Sequence, residues 1–245
     1  MKKNSTIIQY SLVILLFALL IISALIFTID EPRYDLIFKS FPLLVKSFFS
    51  TIYISLITLA GALVLGFVLF VMSRSKIPFI KAISDVFGEI IMGTPLLVMI
   101  FLVVYPFGRI MGINDKLFLG ILAMILYNSP YIANAYETTA SVVDNSQYMV
   151  MKLYHFKWYQ KYQYIILPQM IKPFIPSLVN NLSSVIKGSA LLNIVAVSEI
   201  TYITTAISSR NFAIIEGYYV MWIMYLIVTI PLSLIAKKVA KRLAK

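Results

Sequence analysis

Few residues in this sequence are equipped for chemistry, and their spacing narrows what that chemistry is. There is one histidine, His155, and no cysteine. A lone histidine among aromatic residues has no second metal ligand and no serine partner, so no metal site and no catalytic residue is assigned. No glycine-rich phosphate loop occurs, so the chain does not bind ATP by that route. What remains is electrostatic chemistry in an apolar setting. Glu89, Glu137 and Glu199 stand at or near the ends of apolar runs. Interface solvation accounts for all three, and Glu137 and Glu199 are the candidates for a counter-charge to a cation. Lys187, beside Gly188 and Ser189, interrupts another apolar region. A lysine at mid-bilayer costs about 2.5–3.5 kcal/mol, so it is expected to face a cavity or a partner, or to snorkel to an interface.

Two further constellations are polar. Gly93-Thr94-Pro95 breaks an apolar run. Non-helical backbone survives at membrane depth only against protein or a water-filled cavity, so this break is expected to line a path or gate, or to serve as a packing kink. Residues 144–169 form a long polar and aromatic stretch, too polar for lipid and too aromatic for disorder. It is expected to dock a partner protein. Gln147, Tyr148, Leu153, Tyr154, Phe156 and Trp158 would be its anchors, Lys152 would lie on its rim, and His155 at a turn. The same composition suits a helix lying in the lipid interface.

The elements that must position these groups are membrane spans. Hydrophobic residues make up 60% of the 245 and charged residues 13%. A soluble domain carries about 25% charged residues, so an all-helical integral membrane protein is expected. The net charge of +11 reads as basic flanks on cytoplasmic span ends rather than as nucleic-acid binding. Spans are expected at 7–28, 47–72, 85–106, 117–141, 170–206 and 217–236, with Pro130 as a kink. Gly61 and Gly66 on the second allow close helix approach. In this trace the basic clusters after Ser73, within 144–169 and at the C-terminus all fall on one side, giving six helices with both termini cytoplasmic. Residues 1–40 then form an N-terminal helix with its outside loop, and 41–245 the main membrane unit.

Three segments resemble one family, in order. Glu89 to Leu97 resembles the Glu-x-x-Arg-Gly-Thr-Pro-Leu-Leu motif of polar amino-acid ABC transporter permeases of the histidine/glutamine type. Ser146-Gln147 through Leu167-Pro168-Gln169 resembles their coupling loop, Gly-Gln-x-Glu-Ala-Ala-x-x-x-Gly followed by Leu-Pro-Gln. Lys187 to Leu192 resembles Lys-Asp-Thr-Ser-Leu. The chain departs from the pattern at Met92 for arginine, at Asn134 and Glu137 for glutamate and arginine, and at His155 and Gly188 for glycine and aspartate. Met149-Val150-Met151 stands for Glu-Ala-Ala, which makes the expected contact more apolar.

The resemblance covers about residues 42–240. It implies a five-helix type I importer core with one extra N-terminal helix, in a bacterial cell membrane. It implies that ATP and Mg are bound by separate ABC ATPase subunits docked on 144–163, and that this chain carries no cofactor and is not an enzyme. A second permease subunit, an extracytoplasmic substrate-binding protein and an amino-acid substrate complete the set. The departures at 92, 134 and 137 favour a heterodimer over a homodimer. Rival readings are an ion-coupled secondary carrier and a non-transporting assembly subunit. The sparse charge at depth argues against the carrier.

Overall fold

The computed structural model describes residues 32–243 continuously, with scattered positions between Gln9 and Ser23 before them. The span expected over 7–28 lies outside the continuously described residues. Every regular element among the described residues is a helix.

A short α1 (Tyr34–Phe38) leads into α2 (Phe41–Ser73). With 33 residues, α2 is about 50 Å long, beyond a hydrocarbon layer of ~30 Å, so it overshoots the bilayer. One face of α2 is buried through Ser47, Thr51, Ser55, Thr58, Ala62, Gly66 and Leu69, at steps of three and four. Small residues at that spacing let a neighbouring helix approach closely, in the absence of a hydrophobic drive between spans. The neighbour along most of this face is α5 (Lys116–Ala140). At Gly66 the two backbones come close: an added Cβ would stand 2.8 Å from the Ser129 carbonyl oxygen.

The run expected as one span over 85–106 is two helices. α3 (Pro78–Met92) and α4 (Leu96–Met111) meet at 108°. Pro95 forms the corner in an extended conformation (ψ 139°). The Thr94 hydroxyl donates to the Ile90 carbonyl at 2.7 Å, satisfying a carbonyl the helix end would orphan. Pro106 has no amide to give, and the turn around it, Val103–Phe107, widens to π geometry. Asp115 starts α5 by accepting from the Leu117 and Phe118 amides at 2.9 and 3.1 Å. α5 runs unbroken through Pro130.

Next come α6 (Asn145–Leu153) and α7 (Trp158–Val195), the latter tightening to 3-10 geometry over Ser189–Val195. α8 (Ile200–Arg210) follows at 51° to α7, and α9 (Ile214–Leu243) closes the order. The break expected at Lys187-Gly188-Ser189 therefore lies later. The helix continues through Gly188, and the chain turns at Ala196, whose φ is +62°. Gly188 supplies room rather than a bend: a Cβ there would reach 3.1 Å from a Leu96 methyl.

Among the described residues, three helices are long and apolar enough to cross a membrane, or up to five spans if each bent pair counts as one. The largest buried cluster joins α2, α4, α5 and α7 around Ile54, Ile100, Met124 and Leu192. Outside it, Phe49, Val64, Phe79 and Ile110 are 62% to 81% exposed. Large apolar side chains so widely exposed suit a lipid surround rather than water.

Candidate functional site

The stretch 144–169 is a helix, a tight turn and a second helix rather than a loop. The Asp144 carboxylate caps α6 by accepting the Ser146 amide at 2.7 Å. Hydrogen bonding from Ser146 holds that carboxyl below its ordinary range. At the other end the Phe156 amide donates to the Met151 carbonyl at 3.0 Å and the His155 amide to Lys152 at 3.1 Å. This paired closure requires a left-handed residue between, and His155 provides it at φ +54°. His155 thus occupies the turn expected of it. Gln160 then accepts the Lys157 amide at 2.8 Å and starts α7. Lysine, glutamine and methionine are good helix formers, so the stretch is helical although it is too polar to read as a span.

The two faces of α6 have different fates. Met151 is 2% exposed and packs with Phe70, Ala140, Val143, Ile166 and Met170, with Phe156 alongside. Gln147 and Gln169 exchange amide hydrogen bonds at 2.8 and 3.3 Å. Tyr148 turns the same way. Of the expected anchors, Gln147, Tyr148 and Phe156 therefore face the chain's own interior. Leu153, Tyr154 and Trp158 face outward at 75%, 71% and 66% exposure, and Met149 and Val150 join them. Lys152 and His155 are also exposed. Helical phase separates the sets: 147, 148 and 151 share one side and 149, 150 and 153 the other, while Tyr154 follows the last residue of α6.

Beneath α6 lies Arg74, immediately past the last residue of α2. Its guanidinium forks onto Glu137 of α5, Nη2 to Oε1 at 2.9 Å and Nε to Oε2 at 3.0 Å. The remaining Nη1 donates to the Tyr148 hydroxyl at 3.1 Å. The guanidinium carbon stands 4.9 Å from the centre of the Phe70 ring. The hydrogen bond to Glu137 raises the Arg74 pKa above its ordinary value, against the opposing effect of burial. Sequence reading placed Arg74 only as a basic flank, and Glu137 as a counter-charge. The structure pairs the two. Their shared cleft, about 600 Å³ between α2, α3 and α5, is also lined by Asp85, Glu89, Met92 and Asn134. Met92, Asn134 and Glu137, the departures noted in sequence, thus line one cleft.

Gly188 packs against Leu96, directly after the corner at Pro95, so the two segments approach one another. Ser189 is buried and donates to the Ile186 carbonyl at 2.8 Å. Lys187 is exposed. Glu199, the other counter-charge candidate, is fully buried. It caps α8 by accepting the Tyr202 amide at 2.8 Å, and its second oxygen accepts the Tyr225 hydroxyl at 2.9 Å. The adjoining Ile200 amide donates to Thr51 at 3.1 Å, and Ser50 donates to the Ser198 carbonyl at 2.7 Å. Glu199 closes a helix break. Among the described residues, no group of three or more acidic or histidine side chains is placed to hold a metal.

Residues 62–245 match the family described as binding-protein-dependent transport system inner membrane component. The probable glutamine ABC transporter permease protein GlnM of Bacillus subtilis (strain 168) is 30% identical over 211 residues, covering 86% of this chain and 98% of that one. The glutamine transport system permease protein GlnP of Escherichia coli (strain K12) is 29% identical, covering 86% and 97%. Among solved structures, an amino acid ABC transporter crystallised with histidines superposes with a TM-score of 0.74 at 25% identity, covering 83% of this chain and 95% of that one. The MetNI methionine ABC transporter in an inward-facing form gives 0.71 at 14% identity, covering 84% and 99%, a likeness of fold alone.

Proposed function

The chain belongs to the binding-protein-dependent transport system inner membrane component family, and from that premise we propose that it is the membrane-spanning subunit of an ATP-driven importer that brings a polar amino acid or close analogue into the cell. The apolar outward face of α6 carries the reading of how it works. Met149, Val150, Leu153 and Tyr154 are exposed on a helix that is capped at both ends and packed from below. Such a face fits a groove in a partner, with apolar anchors at its centre and Lys152 and Lys157 at its rim. The partner is the ATPase subunit, which binds ATP and Mg and hydrolyses the nucleotide, while this chain performs no chemistry.

Arg74, Lys76, Lys81, Lys152, Lys157 and Lys161 gather at the α6 end, which the positive-inside rule puts in the cytoplasm. Residues 41–245 are the transport unit, and 1–40 add an N-terminal helix that begins inside and an outer loop. Gly93-Thr94-Pro95 and Lys187-Gly188-Ser189 flank the path, and the exposed Lys187 meets a second permease subunit. Met92, Asn134 and Glu137 together favour a different permease as that second subunit. Binding and hydrolysis of ATP then rock the pair between inward- and outward-open states, with an extracytoplasmic binding protein delivering substrate.

The test is purification of the tagged chain in mild detergent from its own cells, with mass spectrometry of what accompanies it. An ATPase with a second, different permease is the expected result. Leu153→Asp is expected to lose the ATPase and keep the permease. Recovery of neither with the parent chain, together with uptake that persists without any ATPase, would refute the reading.

A further inference from the structure

We propose that Arg74 is a positioning residue that ties α6 to the transmembrane helices, so that a push on α6 moves α2, α5 and α7 together. The proposal rests on the importer reading and names the residues through which it transmits force. Three hydrogen bonds leave one planar guanidinium for two other elements, Glu137 on α5 and Tyr148 on α6. Arg74 itself ends α2. A planar fork fixes the direction as well as the distance of its partners, which a lysine at the same place would not. A second tie, Gln147 to Gln169, joins α6 to α7 on the same underside. Between the ties lies a packed floor of Phe70, Met151, Ile166 and Met170, all 2% exposed or less.

The role is geometric rather than stabilising. The side chains of Arg74 and Glu137 are 26% and 54% exposed, and an ion pair so open to water contributes little to folding. Exposure does not weaken the register the fork imposes while the pair is formed. The anchors that would meet the ATPase lie on the opposite side of α6 from the tie, so docking and transmission are separable by mutation.

The experiment uses the chain with its co-purified ATPase in proteoliposomes, measuring hydrolysis and the uptake of radiolabelled polar amino acids, glutamine and histidine first. For Glu137→Gln, ATPase recovery and hydrolysis are expected to stay near parent values, while substrate moved per ATP falls about tenfold, within the range of measured coupling residues. The reciprocal exchange Arg74→Glu with Glu137→Arg is expected to restore most of that loss. Parental coupling in Glu137→Gln, or an exchange no better than Arg74→Gln alone, overturns the proposal. Because the chain has no cysteine, spin labels at Lys76→Cys and Lys152→Cys give a second readout that needs no substrate. A single narrow distance is expected in the otherwise native chain, broadened in Glu137→Gln. An unchanged distribution overturns the tie. If no ATPase accompanies the parent chain, the importer reading fails, and the label pair still decides whether Arg74 holds α6.

Discussion

Two glycines on α2 allow a sharp comparison. At Gly66 an added Cβ would lie 2.8 Å from the Ser129 carbonyl oxygen and 2.8 and 2.9 Å from atoms of Ile132. Contact with ordinary spacing requires α2 and α5 to separate by roughly half an ångström, and a backbone carbonyl cannot yield without moving its helix. At Gly61 the three atoms nearest to the Cβ all belong to the side chain of Ile125, its terminal methyl among them. That side chain has other rotamers. Gly66→Ala is therefore expected to destabilise by about 1–3 kcal/mol, the usual cost of overpacking, and Gly61→Ala by well under half of that. At ~2–4 °C per kcal/mol for a chain of this size, Gly66→Ala lowers the midpoint by roughly 2–12 °C. Thermal unfolding in mild detergent, followed by tryptophan fluorescence, measures both. Equal midpoints for the two variants, or a Gly66→Ala midpoint equal to that of the parent, would show that the helices do not meet through Gly66.

Other expectations concern α6 and the break before α8. Asp144 has a folded-state carboxyl held below its ordinary value of 3.8, so its capping contribution is present above that value and is lost as pH falls through the lower folded one. The protection factors of the first α6 amides, their exchange rates divided into the intrinsic rates at each pH, should fall on acidification below that point, and Asp144→Asn should abolish this pH dependence. His155→Gly should stabilise by up to about 1 kcal/mol in a denaturant titration, because glycine adopts the left-handed turn without a Cβ clash, whereas His155→Ile should destabilise. Tyr225→Phe removes one of the donors to Glu199 and should cost about 1–3 kcal/mol, read as a lowered thermal midpoint.

Apolar run lengths made α2, α5 and α9 legible in the sequence, and the glycine spacing marked the close face of α2. Corners were harder. Gly93-Thr94-Pro95 announced its break, because proline excludes helix from the residue before it. Lys187-Gly188-Ser189 carried a glycine for a different reason, room for Leu96, and the actual turn fell on Ala196, a residue type with no turn signature. Along α6 the residue types pointed to a docking surface, but only helical phase tells Tyr148 from Leu153. Arg74 could not be paired with Glu137 from sequence, since 63 residues separate them and nothing local links the ends of α2 and α5.

The break between α7 and α8 has an electrical consequence. A membrane that stores energy as an ion gradient tolerates no wet seam through its proteins. At this break the Ile200 and Tyr202 amides and the Ser198 carbonyl are bonded to Thr51, Glu199 and Ser50 of the same chain. The two amides have no donor left for water to take, and the buried side chain of Glu199 is held by a helix end and by Tyr225. The joint thus bends the backbone with the Ile200 and Tyr202 amides already satisfied from within the chain, which removes two places where water would otherwise lodge.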